Sequence, residues 1–253
     1  MLLLSTSSLT GYSLHRIFSF AKKANYDGID ITLNKLNYDF WDEDYVKGLS
    51  DAFGIPVISI TAPLKGMNEK RVDRIVSLAK TTNAQLITFS PPHLMDKNTK
   101  WFSNYLPRVK KDSHLSICIQ NVEAKFMFFI IPEYKNSTLS ELKKVTGDAT
   151  LDIAAIDPST GMDILKAQKM LGSNIKNVFF SDRRGSKTGL LPGTAGGGIS
   201  YLPLESFFMK LKTVGYSGHI TLKLRQVELG AGNEDRVLQN LEFAKNYYSK
   251  HFL

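Results

Sequence analysis

Between Asn177 and Gly193 the chain reads NVFFSDRRGSKTGLLPG, an apolar run that stops at Ser181, Asp182, Arg183 and Arg184 and then enters a glycine-punctuated loop. Charges gathered where a buried strand stops are candidates for chemistry. The pattern recurs elsewhere: Thr61, Ser90, Gln120, Glu123, Asp152 and Lys223 each close or follow an apolar run. These residue types divide by what they can do. Asp152 or Glu123 can take a proton from a carbon acid. Lys223 can polarise a carbonyl oxygen or, if desolvated, form a Schiff base. Arg183, Lys187 and Arg225 can hold a phosphate or carboxylate. Thr61, Ser90, Gln120 and Asp182 can hydrogen-bond a hydroxylated ligand. Singly, each residue is equally well explained as a strand-end hydrogen bond. Together they ask what would bring them to one place.

The elements between them answer that. Short β-rich runs occur at 2–7, 28–33, 57–62, 86–90, 115–121, 150–155, 176–182 and 219–224. Most are near-continuous apolar runs, as parallel strands covered on both faces require. Amphipathic helical segments separate them, from Ser13 to Asn25, from Asp42 to Gly54 and onward from the N-cap Asn68. Another begins at Thr138 or Ser140 and ends at Gly147. GMDILKAQKMLG, LPLESFFMKLKTVG and EDRVLQNLEFAKNYYSKHF supply the later ones. Eight strands alternating with helices predict an α/β fold, a single (β/α)8 TIM barrel spanning residues 1–253. Active sites in such barrels lie at the C-terminal ends of the strands, where the residues named above fall. The run 126–131 is unusually apolar for a loop. It either extends the fifth strand or packs over the barrel mouth or against a partner.

Composition narrows the classes further. The chain has 253 residues, 43% of them hydrophobic and 22% charged, which fits a globular protein with a sizeable core. No apolar run approaches the ~20 residues that span a bilayer. Cys118 is the single cysteine, so no intrachain disulfide forms and a cytoplasmic location is expected. The net charge of +8 is spread along the chain rather than massed; it would suit nucleic acid or phosphorylated small molecules, and equally well an ordinary basic surface. Of five histidines only His93, after the fourth strand, falls near the mouth.

Several fragments, in order, resemble the xylose isomerase-like TIM barrels, the superfamily of sugar-phosphate isomerases, epimerases and type 2 apurinic endonucleases. KKANYDGIDITL resembles the second-strand signature, FGIPVISITAPL the third strand, LSICIQN the fifth and LDIAAIDPSTGMD the sixth. IKNVFFSDRRGSKTGLLPG and LKTVGYSGHITLKL resemble the seventh and eighth. The resemblance implies a divalent metal held at the mouth by His, Glu and Asp, and the pattern departs from this. The third- and fourth-strand histidines read Thr61 and Ser90, and the fifth-strand glutamate reads Gln120. Asp152 keeps the sixth-strand aspartate, but the histidine three residues on reads Ala155. The seventh-strand histidine reads Phe179, the following loop pair falls near Lys187 and Gly189, and the eighth-strand glutamate reads Lys223. One carboxylate, neutral oxygens and a lysine do not offset the dehydration of a divalent ion. The expectation is therefore no metal and no cofactor.

Two readings stay open. In the first, the barrel is a metal-independent isomerase or epimerase acting on a small sugar or sugar phosphate, with Lys223 in the metal's place. In the second, it is a non-catalytic relative that binds a metabolite or a protein. A nuclease is the weakest reading, because phosphodiester cleavage in this superfamily depends on the missing metals. The resemblance leaves room for a homodimer.

Overall fold

Helix starts follow the caps in the sequence. The Ser13 side chain accepts from the Arg16 N–H, Asn68 accepts from Arg71, and Thr138 forms a capping box with Glu141. Gly147, at φ +80°, ends the helix that Thr138 begins. The buried face of the first helix, Leu14, Ile17, Phe18 and Ala21, keeps the i, i+3, i+4, i+7 spacing.

In the computed structural model, which describes residues 1–34, 37–128, 130–196 and 202–253, eight parallel strands close into a barrel. They are β1 (Leu2–Ser5), β2 (Gly28–Thr32), β3 (Val57–Thr61), β4 (Leu86–Phe89), β5 (Ser116–Gln120), β6 (Asp148–Asp152), β7 (Ile175–Phe180) and β8 (His219–Leu222). Each pairs with its sequence neighbours, and β1 closes the ring against β8 through Leu2 and Ile220. The surrounding helices are α1 (Leu14–Lys23), α2 (Glu43–Phe53), α3 (Glu69–Thr81), α4 (Leu106–Asp112), α5 (Leu139–Thr146), α6 (Ile164–Leu171), α7 (Leu204–Thr213) and α8 (Glu234–Phe252). This is the expected (β/α)8 barrel, with β6 starting two residues earlier than its apolar run suggests. No helix among the described residues is long and apolar enough to cross a membrane.

The two faces of the strands differ. Outward-facing Leu4, Ile31, Ile60, Phe89, Ile119 and Leu151 belong to the core shared with the helices. The opposite face carries Ser5, Asp30, Ser59, Thr88, Thr150, Asn177 and Thr221, all fully buried. Thr88 and Thr150 hydrogen-bond at 2.7 Å although β5 lies between their strands, so this face points into the barrel. Branched apolar residues usually fill such interiors; here hydroxyls and amides do. Cys118 is also fully buried, and burial pushes its thiol up to about 12, as an inert cysteine requires.

Two hairpins rise over the mouth. Phe126–Met127 pairs with Ile131–Pro132, so the apolar run folds back on itself, and Phe128 and Ile130 are exposed at its tip. Phe129 lies outside the described residues, as do residues 197–200 of the glycine-bearing loop. The second hairpin joins Asp182–Arg184 to Lys187–Leu190. It is seated where the Gly189 carbonyl accepts from the Arg225 N–H at 2.8 Å. A Cβ on Gly189 would come within 2.8 Å of the Arg225 side chain, and φ there is +73°, so glycine is required.

Candidate active site at the barrel mouth

Strands β6, β7 and β8 are neighbours, and their ends build the centre of the mouth. Asp152 is the register partner of Phe179, which also pairs with Thr221. Lys223 follows β8, anchored by its N–H to the Phe180 carbonyl at 3.1 Å. Its Nζ lies 3.0 Å from Asp152 Oδ2 and 4.2 Å from the centroid of the Phe179 ring. A carboxylate and an aromatic face both attract the ammonium form. Phe179 is 1% exposed, so its ring is a fixed floor under the charge. Phe180 points the other way, into the helices against Phe208, and does not close the mouth.

Asn121 fixes the other side of Asp152. Its side-chain amide donates to the Asp152 carbonyl at 2.9 Å and accepts from the Asp152 N–H at 2.7 Å. The side chain thus takes the role of a strand residue and extends the β5–β6 pairing past its end. The remaining Asp152 oxygen, Oδ1, accepts from the Ala155 N–H at 3.3 Å.

These groups line an open cavity of about 370 Å³. Gln120, Glu123, Asp152, Lys223 and Arg225 all border it, so half of the residues expected from sequence come together. Gln120 donates through Nε2 to Ser90 and leaves its buried Oε1 without a partner among the described residues. Glu123 pairs with Lys125 at 3.2 Å and with Arg183 at 3.6 Å. The Arg225 side chain is exposed at the rim. Three cations, Lys125, Lys223 and Arg225, face two carboxylates.

The other expected residues stand outside the cavity. Thr61 donates to Asp30 at 2.7 Å, and Ser90 lies beneath Gln120. Lys187 is exposed on the second hairpin. Arg183 is 2% exposed, and its guanidinium is taken up by the carbonyls of Ala154 and Gly185 and by Asp157 Oδ2 at 2.7 Å. It straps the β6 loop to the β7 hairpin. Asp182 accepts the N–H groups of Arg183, Gly193 and Ala195, and burial holds its carboxyl above the usual range. His93 is likewise built in: its Nε2 sits 3.2 Å from Glu133 and its Nδ1 accepts the Met95 N–H.

The polar cavity residues Ser7, Asn121, Lys125, Tyr134, Ser181 and Thr188 lie outside the set expected from sequence. Ser7 lies on a segment without any charge signal, Tyr134 stands between Glu133 and Lys135 in the loop after β5, and Ser181 closes the seventh apolar run. The signal for Ser7 is the run STSS at 5–8. Thr6 accepts from the Thr32 N–H, and Ser8 accepts from the Leu224 N–H at 2.9 Å, so the turn after β1 is tied to β2 and β8.

A second aspartate lies deeper. Asp30 is fully buried and receives four hydroxyls: Ser5 at 2.8 Å, Thr32 at 3.0 Å, and Ser59 and Thr61 each at 2.7 Å. Burial raises its pKa, and the four hydroxyls oppose that shift.

A metal ion, which the fold family implies, does not fit these donors. No three His, Cys, Asp or Glu converge among the described residues. The one retained carboxylate at the mouth is occupied by an ammonium, and a further cation beside Lys223 would be repelled.

No family model matches the chain. Across 96% of its length it is 22% identical to the uncharacterized protein ML2432 of Mycobacterium leprae and 21% identical to the uncharacterized protein Rv0498 of Mycobacterium tuberculosis, in each case covering 96% of the relative. Among solved structures it superposes on the zinc-bound IolI protein with a TM-score of 0.73 and 16% identity, covering 99% of both chains. On the 3-keto-D-glucoside 4-epimerase YcjR from E. coli the TM-score is 0.68 at 12% identity, covering 97% of this chain and 98% of that one. On a xylose isomerase domain protein from Alicyclobacillus acidocaldarius it is 0.66 at 16% identity, covering 100% and 98%. The chain has the fold of the xylose isomerase-like TIM barrels.

Proposed function

We propose that the barrel mouth binds a small, anionic, carbohydrate-like molecule and isomerises or epimerises it without a divalent metal. The observation that carries this reading is the Asp152–Lys223 contact over Phe179 inside an open cavity. In aldose–ketose or epimerisation chemistry a carbonyl oxygen gains negative charge as a neighbouring carbon loses its proton. A metal or a fixed cation supplies the required field. Lys223 is such a cation, held in place by two neighbours rather than by flexible packing. A substrate oxygen displacing one of its contacts would meet a preorganised donor. Asp152 or Glu123 then serves as the base. Gln120 Oε1 offers a buried acceptor to a substrate hydroxyl, and the exposed Arg225 offers a fork to a phosphate or carboxylate. A neighbour of similar fold, YcjR, is named as an epimerase of a keto-sugar, which supports this class of chemistry.

One observation favours a binding protein without turnover: both Asp152 oxygens and the Glu123 carboxylate already have partners. The two readings separate in one experiment. The protein is incubated with pentose and hexose phosphates in D₂O containing chelator, and proton NMR follows deuterium entering beside the carbonyl. Incorporation that survives chelator and disappears in Lys223→Met and Asp152→Asn supports the metal-free enzyme. Saturable binding with no incorporation selects the binding protein. Incorporation that chelator abolishes overturns the metal-free site.

A further inference from the structure

A larger cavity, about 650 Å³, opens at the opposite end of the barrel, where β5, β7 and β8 begin and α6 and α7 end. Its lining holds Lys169, Lys176, Lys210 and His219 and, among the described residues, no carboxylate. Lys176 reaches the Ser173 carbonyl at 3.2 Å and lies 4.0 Å from Asp148. Lys169 and Lys210 have neither a hydrogen-bond nor an ion-pair partner among the described residues. Lysines in the last turn of a helix complement its dipole, and that alone accounts for their presence. It does not account for Gln168. This side chain is 5% exposed, it borders the cavity, and its buried Oε1 has no partner among the described residues. Nor does it account for His219, a lining residue whose buried Nδ1 also has no partner among the described residues. Burial lowers the pKa of that imidazole, so it meets a ligand as a neutral hydrogen-bonding group. Buried polar atoms are ordinarily satisfied, and two orphans on residues that line one basic cavity point to an occupant.

We infer that this N-terminal cavity is a second binding site, distinct from the mouth, for a hydroxylated phosphate ester. Lys169, Lys176 and Lys210 meet the dianionic phosphate, and a ligand hydroxyl donates to Gln168 Oε1. His219 bonds a second ligand oxygen. The site stands independently of any catalysis at the mouth, because none of its residues reaches that end of the barrel.

Glycerol 3-phosphate is the probe, with glycerol and potassium chloride at matched ionic strength as controls. Thermal melting of the full chain is expected to rise by about 3–5 °C at tenfold excess over the dissociation constant. Lys169→Ala combined with Lys210→Ala, both exposed and free to change without unfolding, abolishes the rise. Gln168→Leu reduces it severalfold. The mouth variant Lys223→Met retains it. The inference is overturned if the wild type shows no rise or if potassium chloride reproduces it. It is equally overturned if the lysine variant keeps the rise, or if Lys223→Met loses it, which would assign the phosphate to the mouth.

Discussion

Two aspartates point into the same barrel and are stabilised in opposite ways. Asp30, on the β2 side, is sealed from water and held by four neutral hydroxyls. Asp152, on the β6 side, borders a cavity and is held by one cation and one backbone N–H. Hydroxyls spread a carboxylate's charge without adding any of their own. They suit a group that must stay put in the interior. A lysine can release its partner and turn to a ligand, which suits a group at an opening. The contrast teaches that one aspartate of this barrel is sealed into the framework while the other is left paired at an open cavity.

The comparison predicts which changes destabilise and which disable. The largest effect is expected for Asp30→Ala. It strands four buried hydroxyls and leaves a void, so urea denaturation should show a loss of about 3–5 kcal/mol. A loss below about 1 kcal/mol would remove Asp30 from the framework. Next comes Lys223→Met, which should lower turnover, or affinity if there is no turnover, by about a hundredfold or more. Its stability should change by no more than about 1 kcal/mol, because the ion pair is partly exposed. Equal damage to both properties would erase the distinction between the two aspartates. Phe179→Leu removes the ring under Lys223 while keeping the packing apolar. About 1–2 kcal/mol of stability and a severalfold loss of ligand affinity are expected.

The smallest effect is in pH dependence. The folded pKa of Asp30 lies above its unfolded value of 3.8. Between those two values the unfolded chain releases a proton that the folded chain keeps, so stability falls as pH rises through the window. Above the folded value the loss is complete and the curve is flat. Melting of the wild type relative to Asp30→Asn, scanned upward from pH 3, should decline through that window and then level off. A relative stability that increases with pH would mean that the hydroxyls overcome burial.

The barrel was legible in the sequence because parallel strands bury both faces and helices carry caps. Every strand starts within two residues of its apolar run. That Asp152 and Lys223 share the mouth was legible only through the resemblance, which sets both at metal-ligand positions. Arg183 shows where that logic stops. Its position after β7 marks a strand end, but only the fold of the hairpin turns its guanidinium inward toward Ala154 and Asp157. Thr61 failed to reach the cavity for a related reason. Neutral hydroxyls at strand ends serve a ligand or a buried carboxylate equally well, and Asp30 lies within reach. The second hairpin was unreadable because its strands are short and mostly polar.

The turn at 6–9, whose hydroxyls tie β1 to β2 and β8, sets a timing problem. Asp30 can collect Ser5, Ser59 and Thr61 as soon as the first three strands have emerged from the ribosome. The other edge of β1 has no partner until Ile220 and Leu222 arrive. Through most of synthesis, Leu2–Ser5 is therefore an open strand edge of strongly apolar sequence, the kind that recruits foreign strands. Contacts this distant in sequence form late and slowly. Closure of the ring waits for β8, beyond which the Leu224 N–H reaches Ser8 in the turn after β1.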